Sequence, residues 1–305
     1  MGFLSRLDPA AWAVRRHRER LRTRAGLVRR SVTLPDGRDI VYLDTEVEGA
    51  ETERPAMVLV HGIGASKDHW PQLAALLADR VRLVVPDLPY FGESTARGDY
   101  SMAGQAQAVV AFADALGLGR FHLAGSSMGG RIAAEVAHRH ADRLLSLWLL
   151  DPAGADGDEP GEMIEGLFAG EGVPLFAQTP AEYAASLAFT MTRPPDIPRP
   201  ALRVLAAESA AVYDHNIDVF AAMSLEMALG PSTEDLLRNV AVPTLISWGA
   251  DDRVLHPSGA ATIAAAMPDA TVRLMDGVGH LPMLEAPDDA ARDWLAFLAR
   301  IDADV

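Results

Sequence analysis

Short apolar runs alternate with stretches of helical periodicity along most of the chain. Residues 57–60 read Met-Val-Leu-Val, an unbroken apolar run of the kind that marks a strand buried on both faces. Strands are predicted in the same way at 81–85, 121–124, 144–150, 242–248 and 270–275. Helical periodicity fills 68–78, 101–116, 128–140, 257–266 and 287–300 between or after them. Two further strands at 28–33 and 39–43 flank Pro35-Asp36-Gly37, a turn-forming tripeptide. Strand–helix alternation of this kind predicts a mainly parallel sheet flanked by helices. The rhythm breaks after Asp151. Residues 153–240 are richer in Gly and Pro and show helix-like stretches at 181–190, 202–214 and 217–228, with no strong strand. The expected organisation is an N-terminal arm (1–27), a core in two pieces (28–152 and 241–305), and an inserted helical cap (153–240).

Composition narrows this picture. With no cysteine, disulfides, thiolate chemistry and zinc-finger sites are excluded. A net charge of −15 disfavours nucleic acid as a partner. No apolar run approaches the ~18 residues that span a bilayer, and the first residues lack the apolar core of a secretory signal. These features fit a cytoplasmic protein. Charge is uneven, however: residues 1–30 hold nine arginines against Asp8 and Glu19. Phe3, Leu7, Ala11 and Val14 recur at helical spacing beside this basic run, with Trp12 nearby, and Asp8-Pro9 is a helix start. Such an arm suits peripheral contact with an anionic membrane; the alternative is an arm packed on the acidic body of its own domain or of a partner subunit. Lys67 is the sole lysine, which reads as genome composition.

The chemistry is carried by residues 121–131, Phe-His-Leu-Ala-Gly-Ser-Ser-Met-Gly-Gly-Arg. A Gly-x-Ser-x-Gly pentapeptide between an apolar strand and a helix is a nucleophile elbow, a strained turn that exposes the central hydroxyl. Ser127 is therefore the candidate nucleophile. A serine needs a base, a group that orients the base, and donors for the oxyanion. His280, in Gly277-Val278-Gly279-His280-Leu281-Pro282 after the last strand, is the base. Asp252, in the turn after 242–248, is the favoured acid, with Asp251 and Asp151 as alternatives. The backbone N–H groups of Ile63 and Met128 are the expected oxyanion hole. All lie at the C-terminal ends of predicted strands, where doubly wound sheets place their sites. No cofactor and no metal is expected.

From residue 30 onward the chain resembles the α/β-hydrolase superfamily. The matching pieces are His61-Gly62-Ile63-Gly64, Asp87-Leu88-Pro89-Tyr90-Phe91-Gly92-Glu93-Ser94, the elbow, Trp248-Gly249-Ala250-Asp251-Asp252-Arg253-Val254 and Gly279-His280-Leu281-Pro282, in the order Ser, Asp, His. In that family the acid stands three residues after the Gly of the Trp-Gly turn, which favours Asp252 over Asp251. His61 to Trp70, Val173 to Phe176, Thr179-Pro180, Pro194 to Pro198 and Asn216 are similar to bacterial lipases and monoacylglycerol lipases, some of which carry an N-terminal membrane anchor. Tyr90 stands where many relatives have Gly.

The resemblance implies a serine carboxylester hydrolase for lipophilic esters, monoacylglycerols or other short-to-medium-chain acyl esters. Tyr90, Phe168, Leu175, Phe176, Phe189 and Met191 are the expected substrate-binding residues; the alternative for each of the cap residues among them is simple cap core. Two other functions fit the fold. Carbon–carbon bond hydrolases of aromatic catabolism share the elbow but usually have Trp soon after the catalytic His, where this chain has Leu281-Pro282-Met283. A catalytically silent binding protein would have lost a member of the triad.

Overall fold

The computed structural model describes residues 8–46 and 54–303. Asp8 caps α1 (Pro9–Arg24), its carboxylate accepting the Ala10 N–H at 2.8 Å. Phe3 and Leu7 lie outside the described residues. The hairpin β1 (Val28–Thr33) and β2 (Asp39–Asp44) follows, then β3 (Ala56–Val60), α2 (Pro71–Leu77) and β4 (Arg82–Pro86). A short 3-10 turn at Lys67–His69 precedes α2, so the single helix predicted over 68–78 is broken at Pro71. The alternation continues through α3 (Met102–Ala115), β5 (Phe121–Ser126), α4 (Met128–His140) and β6 (Leu144–Leu150).

Five helices then occupy the stretch before the next strand: α5 (Glu162–Ala169), α6 (Pro180–Thr190), α7 (Arg199–Ala210), α8 (Tyr213–Leu229) and α9 (Thr233–Leu237). Three of them match the predicted helices. α7 starts earlier than 202 because Pro198 caps it and a second proline sits in its first turn. α5 and α9 are short and were not predicted. The two ends of this stretch meet: the Thr233 hydroxyl donates to the Ala153 carbonyl at 2.7 Å, and the Thr233 N–H to the Gly154 carbonyl at 2.7 Å. The chain thus leaves the core and returns to it at one point. β7 (Thr244–Gly249), α10 (Gly259–Ala266), β8 (Ala270–Met275), α11 (Pro282–Glu285) and α12 (Pro287–Ala303) complete the fold.

The eight strands form one sheet in the order β1-β2-β4-β3-β5-β6-β7-β8. β2 pairs antiparallel with both β1 and β4, and every other pair is parallel. The apolar runs make sense in this setting. Val58 and Val60 join the layer under α3 and α4, whereas Met57 and Leu59 join the opposite layer under α2 and α12. Successive side chains point to opposite faces, and both faces are covered, so all of β3 from Ala56 to Val60 is apolar and buried. Each fully buried side chain of this size contributes ~1.5–3 kcal/mol. Inside the sheet, His122 reaches the Ser146 hydroxyl at 2.8 Å and ties β5 to β6.

α1 packs against α2 and α7. Val14 is buried there, Arg18 forms a two-point ion pair with Glu208, and Arg22 grips Asp68 with two bonds of 2.7 Å. α1 therefore lies on its own domain. Its outer face still carries Arg15, Arg16, Arg20 and Trp12, the last 56% exposed. No helix among the described residues is long and apolar enough to cross a membrane.

Candidate active site

Ser127 stands between β5 and α4 at φ 54°, ψ −118°, a conformation unfavourable for any residue with a side chain. Its backbone is fixed from both sides. The N–H donates to the Leu150 carbonyl at 3.0 Å, and the carbonyl accepts from Gly130, Arg131 and Ala153. The flanking glycines are required by space. A Cβ on Gly125 would strike the Gly129 carbonyl, and one on Gly129 would strike the Val60 carbonyl. Ser127 remains 9% exposed.

His280 and Asp252 form a buried pair, with Nδ1 of the histidine 2.8 Å from Oδ2 of the aspartate. A carboxylate only accepts, so Nδ1 carries the hydrogen and Nε2 is left with a lone pair. Asp252 is held in turn by the N–H groups of Val254 and Leu255 on Oδ1 and by the Trp248 indole N–H on Oδ2. Asp251 does not share this pairing: it lies exposed at the surface. Asp151, the other alternative, is buried beside the pair. Burial, and then the charge of Asp252, push its carboxyl well above the usual carboxylate range.

The loop that carries Ile63 runs against Ser127: a Cβ on Gly62 would lie 3.3 Å from the Ser127 Cβ. Neither the Ile63 nor the Met128 backbone N–H donates to another protein group among the described residues. This loop is braced from behind. The His61 Nε2 accepts the Leu88 N–H at 3.1 Å, and its ring is neutral because burial lowers its pKa. Lys67 and Asp87 form a buried ion pair at 2.5 Å, and Asp87 also accepts the backbone N–H groups of Lys67 and Glu93. The sole lysine of the chain thus locks the 61–67 loop to the 87–94 loop, a role its rarity did not reveal.

The expected substrate residues do not all converge. Phe176 is buried, lies over Gly64 and packs edge-on against Phe220. Leu175, beside it, is partly buried. Tyr90 adopts φ 73°, which explains why glycine suits this position, and is held by a bond from its hydroxyl to the Gly98 carbonyl and by rings of Tyr100 and His215. Phe189 and Met191 line an open cleft of 510 Å³ with Asp251, Asp252 and Arg253, and neither Ser127 nor His280 is among the residues lining it. Arg253 covers the Phe189 ring at 4.5 Å. Phe168 corrects the expectation outright: it is 90% exposed at the end of α5, which turns Met163 inward instead, so Phe168 lines no enclosed space.

Glu285 was not anticipated. Its side chain is fully buried and accepts three backbone N–H groups: Gly279 at 2.9 Å, Thr192 at 3.1 Å and Arg193 at 2.8 Å. One carboxylate therefore joins the His280 loop to the end of α6, and the His280 N–H adds a bond of 2.7 Å to the Thr190 carbonyl. No local motif announces this, because Thr192 and Arg193 lie 93 and 92 residues from Glu285 along the chain. Replacing Glu285 by Ala strands three donors and is expected to cost about 2–4 kcal/mol of stability. Turnover should fall about tenfold with little change in KM, because His280 loses its orientation. Denaturant melts and steady-state kinetics on the variant check both.

Comparison with known proteins bears on the fold and the reaction class. The family model described as "alpha/beta hydrolase fold" matches residues 55–287. Lipase 3 of Moraxella sp. (strain TA144) is 32% identical over 282 residues, covering 90% of this chain and 86% of its own. Human monoacylglycerol lipase ABHD6 is 30% identical, covering 83% and 78%. The crystal structure of a membrane phospholipase A superposes with a TM-score of 0.89 at 35% identity, covering 96% of this chain and 92% of that one. The chain belongs to the alpha/beta hydrolase fold family, as a serine hydrolase of its esterase and lipase type.

Proposed function

We propose that the chain hydrolyses lipophilic carboxylic esters, monoacylglycerols among them, through an acyl-enzyme on Ser127. The observation that carries this reading is the strained Ser127 turn at the strand ends that also hold the His280–Asp252 pair. His280 Nε2 takes the Ser127 proton as Oγ bonds to the ester carbonyl carbon. The oxyanion so formed rests on the N–H groups of Ile63 and Met128, and the dipole of α4 adds to the Met128 donor. Each such donor is worth ~3 kcal/mol at the transition state. His280, now charged and steadied by Asp252, gives its proton to the departing alkoxide. A water then repeats the sequence on the acyl-enzyme, losing its proton to His280, and the acid leaves as Ser127 recovers its hydrogen.

The helices between β6 and β7 act as the cap of this site. Phe176, over the loop that bears Ile63, and Leu175 beside it are the residues placed to meet an acyl chain. The names of the relatives, a lipase, a monoacylglycerol lipase and a phospholipase, all concern acyl esters of lipids and support an apolar substrate. Selectivity should be graded, because each buried methylene adds ~0.8 kcal/mol at most. A series of p-nitrophenyl esters from acetate to palmitate, run beside monoacylglycerols, tests the reading. Turnover is expected to rise toward medium chains and to fall at least ~10³-fold in Ser127→Ala. Well-folded protein without ester turnover would overturn it.

The outer face of α1 is the proposed contact with anionic membranes. Arg15, Arg16 and Arg20 are exposed beside Trp12, whose ring and cations suit a headgroup layer. Vesicles of phosphatidylglycerol are expected to sediment with the protein and vesicles of phosphatidylcholine not. Trp12→Ala combined with Arg15, Arg16 and Arg20→Glu should abolish the difference. Sedimentation unchanged by these four substitutions would remove the membrane contact.

A further inference from the structure

Asp151 is a buried carboxyl that the ester mechanism leaves unused. It ends β6 at φ 45°, with its N–H bound to the Ser247 carbonyl at 3.1 Å. Its Oδ1 accepts the Gly249 N–H at 2.8 Å, and its Oδ2 is buried with no donor. Asp151, Asp252 and His280 each place a polar atom within 4.8 Å of the others, and all three are buried.

Two carboxylates in so small a dry space repel strongly, and one of them keeps a proton. The donors decide which. Asp252 receives four: the Val254 and Leu255 N–H groups, the Trp248 indole and the His280 ring. Asp151 receives one. The negative charge therefore settles on Asp252. The titratable groups facing Asp151 are Asp252 from the β7 loop, His280 from the β8 loop and Glu285 from α11, and none supplies a permanent cation.

Resting on the triad reading above, we propose that Asp151 is a positioning residue, a neutral carboxylic acid whose Oδ2 hydroxyl donates to the Asp252 carboxylate. Burial first, then the Asp252 charge, hold its carboxyl far above the ordinary range. A donor there spreads the Asp252 charge and restrains how strongly Asp252 stabilises protonated His280, and so sets where activity is lost on the acid side. The sign for stability follows. A carboxyl whose folded pKa is raised stabilises the fold at pH values below its unfolded pKa, and that contribution is lost as pH rises toward the folded value.

Asp151→Asn keeps a neutral donor of the same shape. It is expected to retain kcat/KM within about twofold, to leave the acid limb of the pH profile in place, and to gain stability over the wild type as pH rises from 4 to 8. Asp151→Leu removes the donor and should move the acid limb upward by about half a pH unit. An ionised Asp151 gives the opposite result: both variants remove a negative charge beside His280, and the acid limb moves down. The infrared difference spectrum of wild type minus Asp151→Asn at pH 7 needs no substrate and no folded Leu variant. A protonated-carboxyl C=O stretch supports the proposal, and its absence overturns it, even if the ester reading itself fails.

Discussion

Everything the site does depends on holding Ser127 in a backbone conformation that it would not choose. A sparsely populated backbone conformation such as its φ 54°, ψ −118° costs ~1–3 kcal/mol. The surroundings compensate at several points. The Leu150 carbonyl takes the Ser127 N–H, three N–H groups converge on its carbonyl, and Gly125, Gly129 and Gly130 let strand, helix and neighbouring loop close to backbone distance. The same closeness brings Gly62 against the Ser127 side chain, so the loop bearing Ile63 and the start of α4 approach that side chain together. Loss of any of these small residues would disturb both the Ser127 turn and the N–H groups of Ile63 and Met128 proposed as oxyanion donors.

Around that turn the fold spends buried charge on positioning. Lys67–Asp87 fixes the loop behind Gly62, Glu285 fixes the loop of His280, and Asp252 collects four donors. Buried ion pairs contribute little net stability, because desolvation offsets their attraction. Their effect here is geometric: each ties a strand-end loop to a second element, so three loops from separate strands hold a common register. The inserted helices take part, since the Thr190 carbonyl binds the His280 N–H and Glu285 binds the chain just after α6.

Much of this was legible in the sequence. Strands buried on both faces are mostly apolar, so β3, β5, β6 and β7 stood out despite His122, Ser146 and Ser247, and motif residues fell directly after them. Asp252 and His280 were identifiable by their turns and stand 2.8 Å apart. The short helices α5, set between Gly161 and Gly170, and α9, which follows Pro231-Ser232, were not legible, since each is too brief for a periodic signal. The cap residues among the expected substrate contacts share only apolarity and a place in the insertion, and composition cannot say which way a helix turns. Met163 faces inward on α5 and Phe168 outward. Tyr90 carried a readable signal, a side chain where glycine is usual, and its φ of 73° is the reason. Lys67, Glu285 and Asp151 bind partners 20, 93 and 98 residues away and left no local trace.

The central claim is that Ser127, and no other hydroxyl of this chain, is the activated nucleophile. Reaction with a fluorophosphonate followed by peptide mass spectrometry tests it most directly. The account predicts one adduct per chain, on the peptide that contains Ser127, formed by folded protein and lost on denaturation. An adduct on a different residue, or none on folded protein, would contradict it.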